Sequence, residues 1–596
     1  MNKKIVTGLV SLASVFTLAA CSQNAANNQS SGVAKDEVEG KFKTSVTNEG
    51  TAVKGGTFKY ALVSASPLKG LFNPILYTDT GDSVVVELGG GGSIFHYGAD
   101  LKATDKGMAS YTIDQEKKTV TVKFKEGLKW SDGQPLTADD YVFTYHRIAD
   151  KDYTGVRYDN HVANIEGATE YHEGKADKIS GIEKVDDTTV VLHLKDVYPA
   201  LEVGGGAVKS VIIPKHIWEN IPTKDMESSE YTREKIVGFG PFIVDKVTSG
   251  EGVTFKKNPY YWKGEPKLDG VTLEIVSPDT IVEEMKAGNY DYAEMPRDQY
   301  DVYKDLSNVT ILGLLENSYR YVAFNLGKWD AEKGEHVDDP SKKMHDPALR
   351  KAMALSLDNK QIAEDTLKGL AVEANSLIPP FFKEVYAGTD EVPNFKQDLE
   401  GAKKVLADAG YKDTDGDGLV EKPDGSKLQI NFLARKGSAT NDAIFQQYVT
   451  WWREAGLDVV LQDGRLWDAT AFSQKVLAYD EDIDVYSAGW TVGYNPAPSG
   501  LWGVKAKFNL ANYVSEKNTE LATKADSNEM FDVAKKKATF LEWQKFAREE
   551  LFAIPTYYSY SQIAINSRVK SFDIATGTTF DWQEVEVTAD APVAQK

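Results

Sequence analysis

The sequence predicts a mixed α/β fold. Three observations carry this: runs of alternating apolar residues, amphipathic stretches bounded by capping residues and glycines, and the interleaving of both kinds along about 540 residues. The alternation is clearest from Thr119 to Lys125. Val120, Val122 and Phe124 fall on one face of a strand there, with Thr119, Thr121, Lys123 and Lys125 on the other. Val190, Leu192 and Leu194 repeat the pattern. Asp398 is placed to cap a helix carrying Leu399, Ala402, Leu406 and Ala409, with Gly410 as its stop. A second helix is expected from about Asp442 through Ile444, Tyr448, Trp451 and Ala455, ending at Gly456. Strand-like runs follow each, Leu428 to Leu433 and Leu457 to Leu461, and a further strand is expected from Ile483 to Ala488. Two aromatic-rich strand-like segments far apart in sequence, Tyr319 to Asn325 and Ala553 to Tyr560, are candidates to pair as a crossover between domains. There is no internal repeat, and composition alone marks no boundary inside the globular part.

The first residues have the pattern of an export signal: Lys3 and Lys4 precede an apolar stretch from Ile5 to Leu18 that ends in Ala19 and Ala20. That stretch falls short of the roughly 20 apolar residues a membrane span needs, and no later segment supplies them. The sole cysteine, Cys21, follows Leu18-Ala19-Ala20. This resembles the bacterial lipobox, in which the cysteine thiol becomes acylated after cleavage. With Cys21 lipidated, no thiol remains for disulfide or metal chemistry, and two or more acyl chains hold a protein stably at a membrane. Residues 21–50 are mainly Gln, Asn, Ser, Ala, Lys and Glu, too polar to offset ordering entropy, and are expected to form a flexible tether. A formal net charge of -21 argues against nucleic acid as a partner, because phosphate binding needs a basic surface.

Catalytic motifs are missing. Gly40-Lys41, Gly174-Lys175 and Gly327-Lys328 are not followed by Ser or Thr as a phosphate-binding loop requires. There is no His-Glu-x-x-His helix and no Gly-x-Ser-x-Gly elbow, and the eight histidines are scattered. No enzyme activity and no cofactor are expected. The glycine run Gly89 to Gly92 lacks dinucleotide-site spacing and fits either a turn or a close approach of ligand, which makes Gly91 and Gly92 candidate pocket residues. Asp413, Asp415 and Asp417, with Gly418 behind them, have the opening spacing of a calcium loop, but Asp424 stands where a bidentate Glu belongs and Pro423 breaks the helix that should follow. An Asp/Gly-rich turn is the favoured reading. Among 11 Trp, 29 Tyr and 24 Phe, two tryptophans sit beside glycines: Trp467 after Gly464, and Trp490 within Gly489 to Pro496. The glycines and proline place Trp490 in a loop after a strand, where ligand-lining aromatics commonly sit.

The segment Phe124-Lys125-Glu126-Gly127-Leu128-Lys129-Trp130-Ser131-Asp132-Gly133-Gln134-Pro135-Leu136-Thr137-Ala138-Asp139-Asp140 resembles the signature of the large oligopeptide-binding proteins of ABC importers. Similar to that family, in order along the chain, are Gly238-Phe239-Gly240-Pro241-Phe242, Lys257-Asn258-Pro259-Tyr260-Tyr261-Trp262, residues 349–356, 402–411 and 452–460, and Ile554-Pro555-Thr556-Tyr557. Phe324-Asn325-Leu326-Gly327 and Ser376-Leu377-Ile378-Pro379-Pro380 are most like the long receptors of lactic-acid bacteria.

The resemblance implies a two-lobed, periplasmic-binding-protein-like α/β fold with a hinge between the lobes. Residues 51–325 form the first lobe, with an extra subdomain at about 78–210; residues 326–552 form the second, and 553–596 return to the first. It also implies oligopeptide ligands lying extended as an added strand, and partners in the permease subunits and cytoplasmic ATPases of an importer. The protein is expected as a monomer on the outer face of the cytoplasmic membrane of a Gram-positive bacterium. The implied pocket residues are Trp490, Tyr494, Asn495 and Trp467, with Phe324 and Tyr557 as secondary candidates whose first role is hinge or core packing. Many relatives place an Asp for the peptide α-ammonium where this chain has Gly493, and relatives that clamp short peptides carry an Arg where it has Ser487. Without charged anchors peptide ends are expected to protrude, so longer peptides are accepted. Receptors for haem, nickel chelates or oligosaccharides share the fold, and a secreted hydrolase is the alternative of another class.

Overall fold

The computed structural model describes residues 40–596, apart from 205 and 494. The export signal, Cys21 and residues 21–39 of the expected tether lie outside the described residues. Residues 40–50 do not behave as a tether. Ser45–Thr47 forms a strand antiparallel to Ser571–Asp573, and the Phe42 ring packs edge-on against Tyr560 at 5.1 Å. Gly313 makes room for Phe42, since a Cβ there would fall 2.5 Å from the Phe42 Cβ. Polar composition hid this because two apolar residues and a backbone ladder are enough to dock so short a strand.

One continuous sheet links the two lobes. From the second-lobe edge its order is Val459–Leu461, Ile430–Leu433, Val485–Thr491, Ser318–Phe324, Ala553–Asn566, Tyr292–Glu294, Thr57–Val63, Gly270–Val276, Gly252–Lys257 and Phe242–Thr248. Ala553–Asn566 is the pivot. Its first residues pair antiparallel with Ser318–Phe324, placing Arg320 opposite Tyr557 and Val322 opposite Ile554. Its later residues pair with Val309–Leu315 and Tyr292–Glu294. The two crossing segments therefore do pair. The handover between lobes falls inside the returning strand: Ile554, Tyr558 and Tyr560 pack in the second-lobe core, whereas Ile563 and Ile565 pack in the first. The first crossing also ends in the second lobe's core, where Tyr319, Tyr321 and Phe324 are buried.

The extra subdomain is a four-stranded antiparallel sheet, Ala109–Asp114, Thr119–Phe124, Thr189–His193 and Ile182–Lys184, covered by the helix Ala138–Ile148. Its core runs from Ile75 to Phe239, extending past the expected end near residue 210 because Trp218 and Met226 are buried in the same cluster. Several family-like motifs act here as packing. Trp130 is fully buried and its indole N–H donates to Asp140 at 3.3 Å, while the Asp140 carboxylate also accepts from the Thr137 and Lys215 amides. Ser131 and Gly238 exchange hydrogen bonds.

The predicted helices appear as Leu399–Asp408, capped by Asp398, and Ala439–Glu454, capped by Ser438 and so beginning shortly before the expected start at about Asp442. Gly410 and Gly456 close them at φ 93° and 94°. The C-terminal segment is tied to the first lobe by a fully buried ion pair, in which Arg568 donates to both Asp291 carboxylate oxygens at 2.6 Å. The same guanidinium also reaches the carbonyls of Ala589 and Thr57.

Candidate functional site

A cleft of about 660 Å³ opens where the crossing strands meet the second lobe. One wall is the strand Val485–Thr491, whose residues Ser487 to Trp490 line it. This strand pairs along its whole length with Ser318–Phe324. On its other side, pairing with Ile430–Leu433 reaches only Val485 and Tyr486, because the chain beyond Leu433 swings away to bridge Arg435 with Trp467. Residues 487–491 thus present a strand edge to the cleft with no second strand on it among the described residues.

The floor is Tyr557, opposite Arg320. Burial pushes the Tyr557 phenol up from its ordinary value, and the Arg320 and Arg297 guanidiniums partly offset this. Arg297 donates to the Tyr560 carbonyl at 3.0 Å and pairs with Glu316; burial first, and then Arg320, lowers its pKa. Arg320 lies across Gly489, where a Cβ would come within 2.5 Å of its Nη1. The opposite wall is the first turn of the helix Ala439–Glu454, with Ser438, Thr440 and Asn441 facing in. Apolar side chains including Ile444, Phe445, Phe472 and Phe508 complete the lining.

Of the candidate residues, Trp490 and Tyr557 line this cleft. Trp490 belongs to the strand rather than a following loop, and its ring packs against Phe508 at 5.2 Å. Tyr494 lies outside the described residues. Asn495 lines a separate, smaller pocket between the lobes, near Leu101 and Phe382. Trp467 stands beside the cleft: its backbone bonds to Ala434 and Lys436, and the Arg465 and Lys475 cations lie over its indole at 3.9 and 4.7 Å. Phe324 is fully buried in the core: it shares a face with Arg320, but the strand from Tyr321 onward is covered on both faces. Gly91 and Gly92 form a left-handed turn at φ 109° and 63°. A Cβ on Gly91 would strike the Phe239 ring at 2.3 Å, so this glycine serves packing.

In the acidic loop Asp413, Asp415 and Glu421 approach one another. Asp413 accepts from the Gly416 and Gly418 amides and Glu421 from Thr414, so these carboxylates cap the turn itself. Asp417 is not part of that cluster and accepts from the Leu419 amide.

Sequence reading missed the cations. Arg297, Arg320, Lys368, Arg435 and Lys436 all line the cleft. Arg320 had a legible signal as the only charged residue in an otherwise apolar and aromatic crossing strand.

Two lobes joined by crossing strands, with a cleft at the crossing and an unpaired strand edge in its wall, define a solute-binding protein. The sequence matches the family described as bacterial extracellular solute-binding proteins, family 5, over residues 106–512, and the chain belongs to that family. It is 31% identical over 598 residues to the oligopeptide-binding protein OppA of Lactococcus lactis subsp. cremoris, covering 99% of both chains. It is 30% identical over 402 residues to the oligopeptide-binding protein AppA of Bacillus subtilis, covering 67% of each. Among solved structures, lactococcal OppA complexed with an endogenous peptide in the closed conformation superposes with a TM-score of 0.75 at 30% identity, covering 89% of this chain and all of that one. Bacillus subtilis AppA in complex with a nonapeptide shares the fold at a TM-score of 0.65 and 24% identity, over 90% of this chain and all of that one. No helix among the described residues is long and apolar enough to cross a membrane.

Proposed function

We propose that this protein captures oligopeptides in the cleft at the lobe crossing and delivers them, chemically unchanged, to the permease of an ABC importer. The observation that carries the reading is the free edge at residues 487–491. An extended peptide pairs with such an edge through its own main chain, which gives affinity without demanding particular side chains. Trp490 and Tyr557 flank that edge and contact the peptide, and the lobes close about the two crossing strands. Gly493 supports an open end, because a Cβ there meets nothing within 4 Å; peptides longer than three residues are favoured over shorter ones. The chain is a receptor and not an enzyme, and acylation of Cys21 holds it at the outer face of the cytoplasmic membrane.

The test is native mass spectrometry of the protein lacking residues 1–21, followed by denaturation to identify its cargo. Intact peptides of varied sequence are expected. N-methylation at alternate amides of a bound peptide should weaken binding on one register and spare the other. A single non-peptide ligand, or cleavage of added peptides, would overturn the proposal.

A further inference from the structure

The cleft and the whole chain differ in charge. The protein carries 68 Lys and Arg against 89 Asp and Glu, yet five cationic side chains line the cleft and one carboxylate, Asp298, joins them. Two of the five are neutralised locally, Arg297 by Glu316 and Lys368 by Asp301. Arg320, Arg435 and Lys436 form no salt bridge among the described residues. They come from different elements: Arg320 from the first crossing strand, Arg435 and Lys436 from the segment between Ile430–Leu433 and the helix Ala439–Glu454.

Gathering unpaired like charges costs free energy through mutual repulsion, which solvent screens in part because Arg320, Arg435 and Lys436 are exposed. Two features show the arrangement is built in. Glycine at 489 leaves the space that the Arg320 side chain occupies. The sixteen-residue helix Ala439–Glu454 also directs its N-terminal turn at the same space, adding the positive end of its dipole. An anion in the cleft offsets this concentration of positive charge, and a carboxylate matches the planar donor fork of an arginine.

On the reading of this cleft as the peptide site, we propose that Arg320, Arg435 and Lys436 form a carboxylate-accepting subsite that makes the receptor prefer peptides carrying Asp or Glu side chains. A field of one sign over the cleft also speeds capture of such peptides and repels basic ones. The remainder of the acidic surface keeps the selectivity local, since screening confines surface charges to about 8 Å at physiological salt.

The experiment is calorimetric titration of the peptide-stripped protein with Ala-Ala-Glu-Ala-Ala, its Gln and Lys counterparts, and the C-terminally amidated form of each. The Glu peptide should bind about tenfold more tightly than the Gln peptide, as one charge-assisted hydrogen bond provides, with the Lys peptide weakest. The Glu-over-Gln ratio should survive amidation, shrink at high salt, and collapse in Arg435→Ser/Lys436→Ser, whose exposed positions leave the core untouched. Equal affinity for all three peptides would overturn the subsite and leave the receptor reading standing. Loss on amidation whatever the side chain would assign the cations to the peptide terminus and overturn the preference. Binding of none of the six would overturn both readings.

Discussion

Gly489→Ala tests the cleft at the point where backbone and charge meet. The added Cβ falls 2.5 Å from Nη1, 2.6 Å from Cδ and 3.1 Å from Cζ of Arg320. All three are side-chain atoms of a flexible, exposed residue, and Gly489 lies in an ordinary strand conformation, so the guanidinium moves while the sheet stays. The cost to folding is about 0.5 kcal/mol or less, as for a surface substitution. The cost to binding is larger. Moving Arg320 away from Tyr557 forfeits one charge-assisted hydrogen bond to ligand, about 1.5–3 kcal/mol, which is roughly 10- to 150-fold in Kd. The assay is calorimetric titration with a Glu-containing pentapeptide, alongside thermal unfolding, for Gly489→Ala, Arg320→Ala and the double variant. If the effect travels through Arg320, the double variant binds no worse than Arg320→Ala alone. Additive losses, or a Gly489→Ala protein that binds Glu peptides normally, would refute the reasoning.

Arg568→Met should destabilise the protein by about 3–5 kcal/mol in urea unfolding, because it strands the fully buried Asp291 carboxylate; a loss under 1 kcal/mol contradicts this. Burial holds the Glu373 carboxyl up at about 8. As pH rises from the ordinary carboxylate value toward 8, the unfolded chain has already released a proton the folded chain keeps, so stability falls across that window. Unfolding of Glu373→Gln between about pH 5 and 8 should be flatter than wild type, by at most about 1.4 kcal/mol per pH unit; parallel curves would place the pH dependence elsewhere. Phe42→Ala should cost about 1–2 kcal/mol, less than a fully buried Phe because the ring is half-buried against Tyr560. An unchanged melting temperature would return residues 40–50 to the tether.

Local rules carried the sequence reading a long way. Asp398 and Gly410 bound their helix as expected because capping is settled by the backbone donors and carbonyls of a single turn. Thr119–Phe124 and Thr189–His193 were legible because alternation has no other economical explanation than a half-buried strand. Trp490 and Tyr557 were reachable through their company of glycine, proline and crossing-strand residues. Phe324 took the packing role given first to it, and Gly91 the turn that was one of its two readings; residue type alone does not separate a lining position near a crossing or in a glycine run from one that packs.

The α/β class, many of the helices and strands, and membership of a receptor family were legible in the amino-acid sequence alone. Each of these rests on neighbours within a few residues or on motifs in order. The fold sets where the returning strand changes lobes, that residues 487–491 keep an open edge among the described residues, and that Arg297, Arg320, Lys368, Arg435 and Lys436 face one cleft. Those facts depend on pairings between segments distant in sequence, such as Phe432 with Val485 and Arg320 with Tyr557, and a net charge of -21 gives no sign of a cationic cleft, because charge adds over the whole chain while a ligand meets only the few side chains the fold brings together.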